Sequence, residues 1–361
     1  MVALSGFRAF LKRKNIEISL RRYGIDALGA MAQGLFCSLL IGTILNTLGS
    51  QTGVAIFSTV GGYATAVSGP AMAVAIGYAL KCPPLVLFSM VPVGWAANAL
   101  GGSAGGPLAV FVIAIVAAEV GKMVSKETPV DVLVTPLVTI FAGVALAALI
   151  APPIGAGANY VGALIKRATV LQPFWMGIIV SASVGIALTL PISSAAICHS
   201  FNLVGLAGGA AVAGCCANMV GFAVMSFREN RWGGLVSQGL GTSMLQMGNI
   251  VKNPRIWLPA ILTSMITGPI ATCVFKLEMN GAAINSGMGT CGLCGPIGVW
   301  TGWVNPSDVA LADGAAVIAP GAMDWLGLAL VCFVLPAVIC WALGLFFRRI
   351  GWIREGDLKL D

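Results

Sequence analysis

The feature that most constrains this chain is the recurrence of apolar stretches long enough to cross a lipid bilayer. Each has about twenty predominantly apolar residues, the length that an α-helix needs to span the hydrocarbon core. These stretches are 27–48, 53–79, 84–101, 106–123, 131–150, 173–191, 203–226, 256–275 and 324–347. Charged residues make up only 9% of the 361 residues, too few to give a soluble domain a hydrated surface. The sequence therefore predicts an all-α polytopic membrane protein.

The two ends of the chain are basic. Residues 1–26 form a basic N-terminal lead, and residues 348–361 form a basic tail. Because cytoplasmic segments of membrane proteins carry an excess of Lys and Arg, both termini are expected in the cytoplasm. Two cytoplasmic termini require an even number of crossings, so about ten transmembrane helices are expected. The tenth must come from an ambiguous, Gly-, Asn-, Ser- or Pro-interrupted segment: 233–250, 281–303 or 308–321.

The segment 151–172 divides the apolar stretches into two groups, 27–150 and 173–347. It contains Pro152-Pro153 and ends in an amphipathic run with Lys166 and Arg167. Such a run is typical of a helix that lies along the membrane interface, so we expect an amphipathic linker.

Residues 233–250 (GGLVSQGLGTSMLQMGNI) place amides and hydroxyls in an otherwise apolar chain. Irregular backbone at membrane depth is tolerated only where protein buries it or a water-filled cavity meets it. The glycines weaken a continuous helix and both flanks are basic, which favours a re-entrant hairpin that lines a cavity. The alternative is a plain helix whose polar side bonds to its neighbours. The candidate solute ligands here are Gln238, Thr242, Ser243, Gln246 and Asn249.

Residues 280–298 (NGAAINSGMGTCGLCGPIG) predict a second hairpin, because six glycines and a proline are incompatible with a continuous span. The N-termini of broken half-helices are natural sites for anionic or hydroxylated ligands. Cys291 and Cys294 form a single CxxC pair without a second pair, which favours packing over metal or redox chemistry. No metal or cofactor is therefore predicted. The candidate ligands here are Asn285, Ser286 and Thr290.

A third polar group occupies 189–202 (TLPISSAAICHSFN), where Pro191 interrupts the sixth apolar stretch. His199 is the only histidine, and it either donates to a solute hydroxyl and titrates during transport, or simply ends a helix. Asn218, within the seventh stretch, either faces a cavity or bonds across helices. The candidate ligands in 189–202 are Ser194, His199 and Asn202.

Glu119 lies near the end of the fourth apolar stretch, and Lys122 follows it by one turn. An intramembrane carboxylate is a functional candidate, but near a helix end a solvated or salt-bridged Glu is favoured. The sequence contains no ATP-binding P-loop and no HExxH motif. A primary pump and a membrane metalloprotease are therefore unsupported.

The polar segments carry a resemblance to a known family. TLPISSAAI, GLAGGAAVAGCCANMVGFAVMSFREN, GGLVSQGLGTSMLQMGNIVKNP and SGMGTCGLCGP resemble the phosphotransferase-system (PTS) IIC-like family, which includes perfringolysin-regulator type proteins. The similarity runs from about Tyr23 to about Thr301. It implies a glucose-superfamily-like permease architecture with re-entrant hairpins, in the bacterial inner membrane, as a homodimer. The resemblance further implies that 27–150 is the dimerisation scaffold and 173–347 the transport domain.

The sequence departs from sugar IIC subunits in two respects. In those subunits a Glu and a His near the hairpins contact the sugar, and a IIB domain phosphorylates it. This chain shows no IIA or IIB domain, so phosphorylation would need a separate IIB partner, and the chain is not expected to be catalytic alone. It also lacks the Gly-Ile-Thr-Glu-Pro string, which leaves His199 without its expected carboxylate partner.

The preferred hypothesis is a permease that moves a sugar or other small polar solute by alternating access. Amides and hydroxyls suit the hydroxyls of a sugar or polyol better than fixed charges do. The expected partners are this solute, a second copy of the chain and membrane lipid, without nucleic acid. The alternatives are a ligand sensor or regulator without transport, and an ion-coupled carrier for an organic anion. The carrier would bring Lys81, Arg228 or another basic residue into the cavity.

Overall fold

The computed structural model describes residues 9–360, and every regular element in that range is helical. From Arg22 onward the helices are α1 (Arg22–Thr52), α2 (Ala55–Ala66), α3 (Ser68–Ala79), α4 (Pro84–Leu100), α5 (Gly102–Val124), α6 (Asp131–Ala168), α7 (Pro173–Thr189), α8 (Ser194–Ser200), α9 (Gly205–Met225), α10 (Phe227–Val236), α11 (Met247–Lys252), α12 (Pro254–Val274), α13 (Cys294–Val304), α14 (Asp308–Ala312) and α15 (Ala322–Arg349). Their contacts form two units, divided between Gly157 and Ala158.

Within residues 9–360, six helices are long and apolar enough to cross a membrane: α1, α5, α6, α9, α12 and α15. Helices α2 and α3 pass the same test together, with a bend of 51° between them. The break lies at Val67, so Pro70 falls in the first turn of α3, where a missing backbone N–H is tolerated. Helices α4 and α7 are apolar but shorter. The expectation of an all-helical membrane protein is confirmed, and the count of ten crossings stays a prediction.

None of the three ambiguous segments forms one continuous helix. The segment 233–250 contains the end of α10, a π turn, a 3₁₀ turn and the start of α11. The segment 281–303 contains two 3₁₀ turns, Ala283–Gly287 and Cys291–Leu293, followed by most of α13. Within 308–321 the only helix is the five-residue α14. The polar residues of these segments therefore lie on broken backbone.

The expected domain boundaries stay a prediction. Helix α6 continues through Pro152-Pro153 as far as Ala168, so most of the expected linker at 151–172 continues a helix that begins at Asp131. Residues 1–8 of the expected basic lead, and Asp361 of the expected tail, lie outside the described residues.

In the first unit, small residues let helices approach closely. A Cβ on Gly69 of α3 would lie 2.4 Å from the carbonyl oxygen of Gly94 of α4, and the reverse distance is also 2.4 Å. Glycine therefore permits a backbone contact that no other residue would.

A buried ion pair lies near the end of α5. Lys122 Nζ lies 2.7 Å from Glu119 Oε2, and Glu119 Oε1 accepts a hydrogen bond from Tyr23 (3.1 Å). Lys122 also donates to the carbonyls of Asn15 (3.1 Å) and Leu80 (3.2 Å). The salt-bridged interpretation of Glu119 is confirmed.

The second unit is organised around α9, which is almost wholly buried. Helices α7 and α12 pack against α9 and against each other, and α15 covers α9 and α12. A Cβ on Gly214 of α9 would lie 1.9 Å from the carbonyl oxygen of Ser181, and a Cβ on Gly268 of α12 would lie 2.1 Å from that of Gly177. Both contacts are backbone against backbone, so side-chain movement cannot relieve them.

We expect Gly214→Ala to lower the free energy of unfolding by about 1–3 kcal/mol, because the added methyl group overpacks α9 against α7. Gly233→Ala is the matched control, since a Cβ at Gly233 meets nothing within 4 Å. Thermal unfolding of both purified variants in detergent measures the difference. Equal midpoints for the two variants would contradict the close contact.

Candidate functional site

The structure brings the three polar segments of the sequence together beside α9. Thr290 Oγ1 donates to the carbonyl of Gly239 (2.5 Å), which joins 280–298 to 233–250. Ser194 Oγ donates to the carbonyl of Gly287 (2.8 Å), and Ser286 Oγ donates to that of Leu203 (2.5 Å). These bonds join 280–298 to α8 and to the residues that follow it. We call this assembly of 189–203, 233–250 and 280–298 the polar cluster.

The backbone of 289–293 is shaped by its contact with α9. Gly289 has a φ of +52°, and a Cβ there would lie 2.6 Å from Cys215 Cβ. Gly292 and Leu293 also have positive φ, of +50° and +61°. A left-handed leucine is uncommon because its Cβ crowds the carbonyl oxygen, so the surrounding packing must hold it.

Three amides of the polar cluster form a chain of buried hydrogen bonds. Gln238 Nε2 donates to Ser226 Oγ (2.8 Å), and Gln238 Oε1 accepts from Gln246 Nε2 (2.9 Å). Gln246 Oε1 in turn accepts from Asn249 Nδ2 (2.8 Å). Gln238 and Gln246 are completely buried, and Asn249 is only 6% exposed. We call these three side chains the amide chain.

The amide chain ends on backbone carbonyls near the C-terminal end of the described residues. Gln246 Nε2 also donates to the carbonyl of Leu358 (2.9 Å), and Asn249 Nδ2 donates to that of Lys359 (2.8 Å). Asn230 donates to the Leu358 carbonyl (2.7 Å) and accepts from the backbone N–H of Leu360 (2.8 Å). Residues 358–360 thus complete the hydrogen bonding of 233–250. The amide side chains bond to backbone atoms of 358–360, which give no residue-type signal in the sequence.

A second buried network centres on Asn218. Asn218 Nδ2 donates to Ser264 Oγ (3.0 Å), and Asn218 Oδ1 accepts from Trp257 Nε1 (3.1 Å) and Thr189 Oγ1 (3.3 Å). Thr189 Oγ1 lies 2.8 Å from Ser243 Oγ, so the network reaches the polar cluster. Asn218 therefore bonds across helices α7, α9 and α12, one of the two roles expected for it. Sequence reasoning missed Thr189, Trp257 and Ser264.

Thr242, another predicted ligand of 233–250, acts locally. Thr242 Oγ1 accepts from the backbone N–H of Met244 (3.2 Å), which caps the 3₁₀ turn that follows it. Of the predicted ligands, nine are thus buried and hydrogen-bonded within the protein: Ser194, Asn218, Gln238, Thr242, Ser243, Gln246, Asn249, Ser286 and Thr290.

The other three predicted ligands are accessible. His199 and Asn202 are exposed and Asn285 is half-buried. Asn202, with a φ of +49°, lines a cavity of about 330 Å³ in the second unit. Lys166 and Asp313 also line this cavity, together with Thr169. It therefore offers an amide, a hydroxyl, one cation and one anion to a solute.

Cys291 and Cys294 are buried. Within residues 9–360 no group of three or more His, Cys, Asp or Glu side chains is arranged to hold a metal ion. These two cysteines pack inside the second unit beside α9 and the start of α13.

A family model described as "Phosphotransferase system, EIIC" matches residues 25–360. The chain belongs to this family. The resemblance seen in the sequence is confirmed, and the match extends past Thr301 through α15 to residue 360. No curated protein sequence and no solved structure matches the chain. The protein is thus a PTS IIC-type membrane component, whose role involves other PTS components and a transported substrate.

In this EIIC protein, we expect deletion of residues 358–361 to destabilise the second unit. Gln246 and Asn249 would each lose a carbonyl acceptor, and a buried polar group without a partner costs about 1–3 kcal/mol. Lys359→Ala is the control, because it leaves the carbonyl that Asn249 uses in place. Thermal unfolding in detergent measures both.

A second comparison measures how much the hydrogen bond from Asn249 to the Lys359 carbonyl contributes to the free energy of unfolding. Asn249→Ala should cost less in the shortened chain than in the full chain, because its carbonyl partner is already gone. Equal costs in the two backgrounds would show that the hydrogen bond from Asn249 to the Lys359 carbonyl does not contribute to stability.

Proposed function

We propose that this EIIC protein is a permease that moves a neutral, polyhydroxylated solute, a sugar or polyol, across the bacterial inner membrane by alternating access. The observation that carries the proposal is the polar cluster itself. Three broken, uncharged, hydrogen-bonding segments meet beside α9 in a membrane-integral unit. Broken backbone at membrane depth is tolerated where protein buries it or where it lines a cavity, and in transporters such broken segments form the solute site.

The charge of the cavity at Asn202 favours a neutral solute over an organic anion. An ion-coupled anion carrier needs a cavity with excess positive charge. Lys166 is the basic residue that reaches this cavity, and Asp313 lines it as well, so the two formal charges cancel. Arg228 lines a different cavity, and Lys81 belongs to the first unit. Amide and hydroxyl groups then provide the selectivity.

We assign the predicted ligands two roles. Asn202, His199 and Asn285 contact the solute directly, since they are accessible and make no side-chain hydrogen bond within residues 9–360. The nine buried residues hold the broken segments in shape in the described conformation. When the segments move during transport, the amide chain exchanges its carbonyl partners for solute hydroxyls. This exchange conserves the number of hydrogen bonds, so it lowers the cost of movement.

The proposal includes the finer architecture. The six long helices, the bent pair α2–α3, and α4 and α7 provide nine crossings. One of the broken segments supplies the tenth, and 233–250 and 280–303 form re-entrant hairpins. Both termini are cytoplasmic, the first bundle makes a homodimer, and the second moves the solute. A separate IIB protein phosphorylates the solute during transport, because the family works with PTS components.

The first test is thermal stabilisation of the full chain in neutral detergent by a panel of sugars, polyols and organic anions. A solute that binds the native state raises the unfolding midpoint by mass action. We expect stabilisation by a sugar or polyol, and about tenfold weaker binding in Asn202→Gly, from the loss of one or two hydrogen bonds. Glycine is chosen because it adopts the positive φ of Asn202 without strain.

Asn305→Gly is the control, since Asn305 is an exposed asparagine of the same unit that does not line the cavity. Stabilisation by organic anions alone would contradict the neutral-solute proposal. Proteoliposomes that hold the purified protein then separate transport from sensing. Uptake of the stabilising solute supports a permease, whereas binding without uptake, with and without a IIB protein, supports the sensor.

A further inference from the structure

A second cavity, of about 350 Å³, lies within the first unit and is strongly basic. It is lined by residues from the N-terminal segment, the α3–α4 turn, the end of α5 and the loop that follows. Five cations and one carboxylate line it: Arg13, Lys14, Lys81, Lys122, Lys126 and Glu127. The formal charge of these walls is therefore about +4, from five positive charges and one negative charge. We call it the basic cavity.

Some of these charges already have partners. Lys122 is used by Glu119 and by two backbone carbonyls, as described above. Lys14 and Arg13 pair with Glu127, at 2.5 and 2.7 Å. The hydrogen bond from Lys14, with the charge of Arg13 beside it, holds the pKa of Glu127 below its usual range, so this carboxylate stays ionised. Glu127 is thus paired with two cations, Lys14 and Arg13.

Lys81 and Lys126 are different. Neither side chain forms an ion pair or hydrogen bond within residues 9–360, yet both line the basic cavity. Their backbones have positive φ values of +56° and +61°, and the backbone N–H of Lys126 is held by Asp131 Oδ1 at 2.7 Å. Two cations whose side chains make no hydrogen bond or ion pair are therefore carried to the same cavity by fixed turns, and the nearby Asp131 carboxylate offsets part of the charge of Lys126.

Ser125 provides independent evidence that the basic cavity binds a ligand. The residue is only 3% exposed and lines the basic cavity. Its hydroxyl is buried and has no hydrogen-bond partner within residues 9–360. Nearly all buried hydroxyls in proteins are paired, so an unpaired one on a residue that lines a cavity indicates a partner that completes it.

We propose that the basic cavity binds the phosphate group of an anionic ligand, with Lys81 and Lys126 neutralising its charge and Ser125 donating to one oxygen. A phosphate monoester suits this set better than a carboxylate, because it carries nearly two charges and three acceptor oxygens. The ligand is either the headgroup of an anionic lipid or a soluble phosphate ester. This site uses residues of the first unit alone, so it does not depend on the solute site proposed for the second unit.

The test uses the full chain in neutral detergent and two phosphate compounds, inorganic phosphate and the monoester dioctanoyl phosphatidic acid. The unfolding midpoint is measured against each at constant ionic strength, with dioctanoyl phosphatidylcholine and chloride as controls. We expect a saturable rise in the midpoint. A response to inorganic phosphate identifies a soluble phosphate ester, and a response to phosphatidic acid alone identifies a lipid headgroup.

Two double variants test the location. Lys81→Gln/Lys126→Gln should raise the half-saturating concentration by about tenfold or more, because charge-assisted hydrogen bonds are lost. Lys12→Gln/Lys276→Gln removes the same two charges outside the cavity and should leave that concentration unchanged. The control is closely matched, because Lys276 is also exposed and also has a positive φ, of +45°. Equal effects of the two double variants would overturn the proposal, as would a wild-type midpoint that neither phosphate compound raises.

Ser125→Ala gives a result that a purely structural serine would not. Without ligand, the variant should be as stable as the wild type or more so, because it removes an unpaired buried hydroxyl. With ligand, its half-saturating concentration should rise by several-fold through loss of one donor. A variant that loses stability but binds as the wild type does would show that Ser125 has another role.

Discussion

The second unit depends on one physical constraint: a buried polar group that is cut off from water must find its hydrogen-bond partner within the protein. The amide chain Gln238–Gln246–Asn249 and the Asn218 network satisfy this requirement with side chains from several helices and with distant backbone. Because the broken segments leave helical bonding incomplete, every such partner also fixes a position. The hydrogen bonds that satisfy the buried polar groups therefore also fix the position of the polar cluster.

The second unit also requires that its helices approach one another closely. Hydrophobic burial does not drive helices together in lipid, so contact depends on dispersion and on short backbone distances. Glycines such as Gly214 and Gly268 let α7, α9 and α12 come within reach of one another. Only at such separations do the short side chains of Asn218 and Ser264 bridge the helices. Small residues and polar residues thus act together along the same helix faces.

Much of this architecture was predictable from the sequence. The long apolar stretches predicted a helical membrane protein. The glycine-rich segments 233–250 and 280–298 predicted where regular helix ends. The sequence did not reveal that the amide chain bonds to Leu358 and Lys359, because backbone carbonyls are the same for every residue type. It likewise gave no sign that Lys81 and Lys126, far apart in the chain, line one cavity, since only tertiary packing brings their turns together.

The bonds between the amide chain and residues 358–360 also bear on the order of biosynthesis. Gln246 and Leu358 are 112 positions apart, and Asn249 and Lys359 are 110 apart. During translation, 233–250 therefore emerges and meets the membrane well before its acceptors exist. Until they arrive, these amides must be held by water, lipid headgroups or the insertion machinery. The second unit thus reaches its described state as a late event, after α15 has been inserted.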